Sequence, residues 1–245
     1  MDQQQRLEVY DAQTKNVRAL KAAWAQVNRQ INACLRRRDV QGLETNTKIL
    51  AVLYCALSES SLSKLIHTPH GLELQEIEQV KATAKDFGVK HGWLKCAGLG
   101  IRRIDGAKHN HPSNVLRKVT ELIESYIFEP SLIRNKLAHG QWSMALNREN
   151  DAVNYELTAE IDRLDVVELQ RRQHALEYLE TILEDIVESP NKAHRRDYWA
   201  HLTTLEDKQQ VLATFTLEEK RKRLLEKASH TNLQRDASTV IDSRR

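Results

Sequence analysis

Turn-forming residues are scarce in this chain, which holds only eight glycines and four prolines in 245 residues. All-β folds need frequent turns, so the scarcity points to long helices. Aromatic residues are also few, at 5%, and strands favour that class of side chain. The three cysteines, Cys34, Cys55 and Cys96, are odd in number and far apart. Without a CxxC pair they suggest neither a disulfide framework nor a zinc ribbon. The opening MDQQQRLEVY has no apolar core of the signal-peptide kind. No apolar run approaches the roughly 18 residues of a membrane span. The expectation is a reduced, soluble, cytoplasmic protein with no cofactor.

What the chain does contain is 40% hydrophobic and 29% charged residues. That suffices for one core, or one domain plus an appendage. A net charge of +3 does not by itself argue for a nucleic-acid partner. Its distribution is more informative. From Lys85 to Lys118, eight basic residues, including Arg102, Arg103 and Lys108, are opposed only by Asp86 and Asp105. This stretch is either a solvated loop or a surface facing a polyanion.

Residues 3 to 37 read as a long amphipathic helix, because Tyr10, Val17, Leu20, Trp24, Val27, Ile31 and Cys34 form a narrow heptad-like stripe. The stripe serves either the protein's own bundle or a helix-to-helix dimer seam. Asp39 can cap a second helix, about 41 to 66, apolar on more than one side as the centre of a bundle would be. A third helix is expected over 73 to 86. The following GVKHGWLKCAGLGIRRIDGAKHNHPSN holds five of the eight glycines and reads as the least regular region, with a short helix around Trp93. Ser113 is the expected cap of a helix over 114 to 128, and Pro130 the first turn of a further short helix ending at Gly140. Alternation of Trp142, Met144 and Leu146, then Val153, Tyr155 and Leu157, predicts a β-hairpin over 141–157. Asp165 with Glu168 opens a helix to about 188, a shorter one follows over 193 to 207, and Thr216 with Glu219 opens a charged helix to about 228. The fold class expected is all-α. Residues 1–190 form a helical bundle with the small hairpin inserted, 191–228 a C-terminal helical extension, and 229–245 a flexible tail.

The stretch PSLIRNKLAHGQW, residues 130 to 142, gathers Arg134, Asn135, Lys136 and His139 just before Gly140. An arginine followed closely by a histidine recurs by chance in a chain this basic, as at Arg103 with His109, Arg195 with His201 and Arg223 with His230. His109 and His111 have no neighbouring carboxylate or thiol in sequence, so no metal site is expected there. Arg134 to His139 differs in its setting at the end of a short capped helix. Helix-end carbonyls carry partial negative charge, which favours an imidazolium that can give up its proton. Asn135 lies four residues before His139 and shares its face. Arg134 lies five before it, about 140° around the helix, so a long side chain must bend or a second subunit must help.

RNKLAHGQW resembles the signature of the HEPN families, in which an arginine, usually a polar residue, and a histidine follow in this order. The close match covers about ten residues and leaves the C-terminal 55 unexplained. The resemblance implies a helical bundle that dimerises so that two motifs face one cleft. It implies metal-independent RNA cleavage, with 2′,3′-cyclic phosphate and 5′-hydroxyl ends. His139 would then move protons at the 2′-hydroxyl or the leaving oxygen. Arg134 would stabilise charge on the phosphate, and Asn135 would orient the histidine or bind phosphate. Lys136, Arg102, Arg103 and Lys108 would bind RNA backbone. Glu59 on the second helix can hold Arg134 from across the bundle. Such families often act as toxins or in phage-triggered growth arrest, which implies an antitoxin or defence-system partner. A non-catalytic adaptor of the same fold, or a nucleotide sensor at Arg134, are the alternatives.

Overall fold

A computed structural model describes residues 1–105, 110–227 and 229. The flexible-tail expectation for 229–245 falls outside them except at Ser229. Among the described residues the named helices follow in order, α1 (Gln3–Arg37), α2 (Val40–Ile66), α3 (Leu74–Phe87), α4 (Val89–Ile101), α5 (His111–Ile123), α6 (Glu129–Ala138), α7 (Tyr155–Asp162), α8 (Val166–Glu188) and α9 (Ala193–Ala213). A π turn, Glu124–Phe128, joins α5 to α6, and residues 217 to 227 are again helical. Among the described residues there is no strand, and the fold is all-α.

The long α1 starts where expected, with the Asp2 side chain accepting from the Gln5 amide. Its heptad positions Val17, Trp24 and Ile31 are buried in the protein's own core, facing α2. Asp39 caps α2 as expected, accepting from the Gly42 amide at 2.8 Å. By length and composition α2 does pass as a membrane span, with a mean hydropathy of 1.5 over its best window, which corrects the expectation that no run comes close. In the fold it is the central helix, touching α1, α4, α6 and α8, with Leu50, Tyr54, Leu57, Leu62 and Leu65 buried.

The glycine-rich stretch departs from expectation. The short helix expected around Trp93 is longer than that and forms α4 over Val89–Ile101, while residues 102–105 leave the helix and 106–109 lie outside the described residues; Trp93, Cys96 and Ala97 are fully buried. Two of its glycines, Gly92 and Gly100, serve close approach rather than turns. A Cβ on Gly92 would sit 2.8 Å from the Ala84 Cβ, and one on Gly100 would sit 2.8 Å from Ile186 Cγ2. These spacings let α4 lie against α3 and α8.

Next, α5 begins at His111, with Pro112 in its first turn and Asn110 rather than Ser113 at the cap. Instead of two separate helices the chain runs unbroken from His111 to Ala138 through the π turn. Pro130 accounts for it. Proline has no N–H to give the carbonyl four residues back, which is that of Tyr126. The Tyr54 hydroxyl donates to this freed carbonyl instead, at 2.5 Å. The π turn absorbs one extra residue at this point.

The hairpin expected over 141–157 does not form. A single antiparallel bridge, Leu146 to Val153, is all that pairs there. Asn154 accepts from the Leu157 amide at 2.9 Å and so starts α7, which takes Tyr155 and Leu157 out of any strand. On the other arm, Ala145 gives its amide to the Thr158 hydroxyl of α7. The Asp165 carboxylate caps α8 through the Val167 and Glu168 amides. Then α9 folds back on α8 and adds Tyr198, Leu202 and Leu205 to the core. Thr216 and Glu219 form the reciprocal cap expected for the last helical segment.

Candidate functional site

The end of α6 is closed by Gly140 at φ +79°, a left-handed conformation that glycine adopts without Cβ strain. The Gly140 amide donates to the Leu137 carbonyl at 3.1 Å and the Gln141 amide to that of Lys136 at 2.9 Å. The Trp142 indole donates to the Leu137 carbonyl as well, at 2.9 Å. The polypeptide therefore leaves the helix in one fixed direction, and His139, as the cap residue, is exposed at the turn.

Arg134 points to the other side, toward α2. Its guanidinium pairs with the Glu59 carboxylate, the partner anticipated from sequence, and both side chains remain partly open to solvent. Cys55, one turn before Glu59, is beside it. Burial pushes the Cys55 thiol up to about 11, with the Arg134 charge opposing that rise, so it stays an inert thiol rather than a nucleophile. Arg134 and Glu59 line a cleft of about 350 Å³, together with Lys90, His91, Ser131 and Asn135. Phe87 and Leu132 stand exposed at its rim. Within it, Lys90 is paired with Glu124 at 2.7 Å and lies 4.1 Å from the Phe128 ring centre. The Ser58 hydroxyl is buried here without a hydrogen-bond partner. Arg134 and Lys90 each have a carboxylate close by, so the cleft is nearly neutral.

His139 opens instead onto a shallower hollow, shared with Gln141, Arg148 and Asn150. Asn135 is exposed and lines both hollows. The structure thus brings Asn135 to each of the other two residues but turns Arg134 and His139 apart, as the angular argument from sequence requires.

The residues expected to hold RNA are differently placed. Lys136 Nζ donates to the Leu146 carbonyl at 2.6 Å and more weakly to that of Asn147, so it anchors the following loop. Arg103 is engaged by the Gly71 carbonyl at 2.7 Å and by the Glu76 carboxylate. Arg102 is exposed at the C-terminal cap of α4. The helix has its start at the cleft, so twelve residues of rise put Arg102 and Arg103 roughly 18 Å away. Lys108 lies outside the described residues. Residues not anticipated are Lys90, His91 and Arg148. Lys90 was visible only as one member of a basic run, and nothing in local spacing marked the other two.

No family model, curated protein or solved structure matches this chain.

Proposed function

We propose that the protein is a HEPN-type endoribonuclease acting as a homodimer. The observation that carries this reading is that a partly open Arg134 and an exposed His139 lie on either side of Asn135 at one helix end. The two side chains diverge within one chain, so a reacting phosphate meets both only if a second copy presents the complementary half. Exposed Phe87 and Leu132 beside the cleft offer an apolar surface for that copy.

In this reading the RNA 2′-hydroxyl attacks the adjacent phosphorus, and the bond to the 5′-oxygen breaks. One imidazole takes the hydroxyl proton while the other gives a proton to the leaving oxygen. Arg134 balances charge on the phosphate oxygens, and Asn135 positions phosphate or imidazole. Products carry a 2′,3′-cyclic phosphate and a 5′-hydroxyl, and DNA is left intact. A toxin or anti-phage role in the cytoplasm, restrained by a protein partner, belongs to the same reading.

The Arg134–Glu59 pairing favours a second reading, a non-catalytic binding module, because an arginine already neutralised is less available to a phosphate. Incubation of purified protein with total RNA and chelator separates the two. Chelator-insensitive cleavage that is lost in both Arg134→Ala and His139→Ala supports the nuclease. Unchanged cleavage in both variants moves the active site elsewhere, and no cleavage by wild type under any condition favours the binding module.

A further inference from the structure

We infer that α8 and α9 carry a site for a divalent cation of the zinc class, formed by Asp185, Asp197 and His201. The site lies apart from the cleft at α6 and goes beyond the nuclease reading. Asp197 and His201 are four residues apart, so they share one face of α9. That face meets α8, where Asp185 projects back toward them. One ligand atom from each of the three lies within 4.8 Å of the other two. Ligand atoms around a tetrahedral zinc stand roughly 3.3–3.6 Å apart, given metal–ligand distances of about 2.0–2.2 Å. His201 Nε2 and Asp185 Oδ2, at 3.4 Å, already have that spacing, and Asp197 needs only a short swing.

A second, independent feature is the state of the Asp185 oxygen. Oδ2 is buried and has no hydrogen-bond partner. His201 is near enough to donate to it but out of line for a hydrogen bond. A buried carboxylate oxygen without a donor is costly, and a cation removes that cost.

Charge and ligand type agree with this assignment. Two carboxylates and a neutral imidazole offer a charge of −2 and one nitrogen with two oxygens, a set that suits zinc and binds it above manganese. The competing cation is Arg196, which donates to both Asp197 oxygens through three hydrogen bonds of 2.6 to 3.0 Å. Its side chain is 76% exposed, so solvent screens the pair, and the ion must displace it from Asp197. With three protein ligands, water completes the shell. The ion would fasten α9 to α8, and so the C-terminal helices to the bundle.

The test is titration of the tag-free, chelator-stripped full chain with zinc chloride, read by calorimetry and by thermal unfolding. One ion per chain is expected, with a rise in unfolding temperature. Asp185→Asn and His201→Gln should each weaken binding at least about tenfold, as loss of a ligand does. Cys34→Ser, which removes the half-buried thiol, should leave it unchanged. Far-UV circular dichroism of the stripped variants establishes that they are folded. Should either variant fail to fold, cobalt substitution of the wild-type chain decides, because nitrogen and oxygen ligation gives visible bands without thiolate charge transfer. Absence of zinc binding, binding equal in the folded variants, or a thiolate band would each overturn the site. Both variants lie outside the nuclease motif, so RNA cleavage below the unfolding temperature should persist in them whichever way zinc binding turns out.

Discussion

Glu180 offers a quantitative test of how this core is built. It lies on α8, and its Oε1 is buried without a hydrogen-bond partner. Burial pushes its carboxyl from 4.5 up to about 7, with Lys21 and Lys64 opposing the rise and Glu177 adding to it. The Ser61 hydroxyl beside it is the strongest influence opposing that rise, yet burial still prevails. Between these two pH values the folded chain holds a proton that the unfolded chain has released. Stability therefore falls as pH rises through that window and is level above it. At about 1.36 kcal/mol per pH unit, the 2.5-unit window costs roughly 3 kcal/mol, an upper value because local relaxation lets water reach the charge. Glu180→Gln keeps the shape and removes the ionisation. The two proteins should be nearly equal at pH 4.5, and the variant should lead by about 2–3 kcal/mol at pH 8. For a chain of this length that is about 4–12 °C in unfolding temperature. Urea unfolding of both proteins at several pH values measures the difference directly, since every other titrating group is common to both. A gap that does not change with pH, or a variant less stable at pH 8, would refute the burial argument.

Other consequences can be checked in parallel. Tyr54→Phe leaves the Tyr126 carbonyl without its donor and should cost about 1–3 kcal/mol in urea unfolding, with a local loss of hydrogen-exchange protection at the π turn. Gly100→Ala places a methyl group against Ile186 and should cost about 1–3 kcal/mol, whereas the same change at Gly98, where the space is open, should not. Gly140→Ala forces a positive φ on alanine, so unfolding should become easier by about 1 kcal/mol. If the nuclease reading holds with Glu59 as the group that aims Arg134, Glu59→Ala should lower RNA cleavage severalfold by leaving the guanidinium unoriented, whereas raised cleavage would show that Glu59 only competes with phosphate; stability should drop by less than about 1 kcal/mol because the pair is partly solvated.

Patterns with a local cause were legible in the sequence, and those with a distant cause were not. The heptad stripe of α1, the Asp39 and Asp165 caps, the Thr216–Glu219 cap and the Gly140 stop each depend on a few neighbouring residues. Gly92 and Gly100 resemble turn formers in sequence because their reason, the side chains of Ala84 and Ile186, lies elsewhere in the chain. Pro130 marks a helix start by local rules, although Tyr54, 76 positions earlier, supplies the donor that lets the helix continue. The alternation after Trp142 was real, but the Asn154 cap competes for the same residues and wins. Lys136 and Arg103 looked like free cations until the Leu146 and Gly71 carbonyls were placed beside them. Of the motif itself, order and angular divergence followed from helix geometry, whereas the two separate hollows required coordinates.

The π turn also sets the aim of the guanidinium. One additional residue in a helical turn rotates all that follows by roughly 100° and advances it by about 1.5 Å. Without that insertion Arg134 would face away from Glu59, so a proline four residues upstream fixes where the motif's positive charge is delivered.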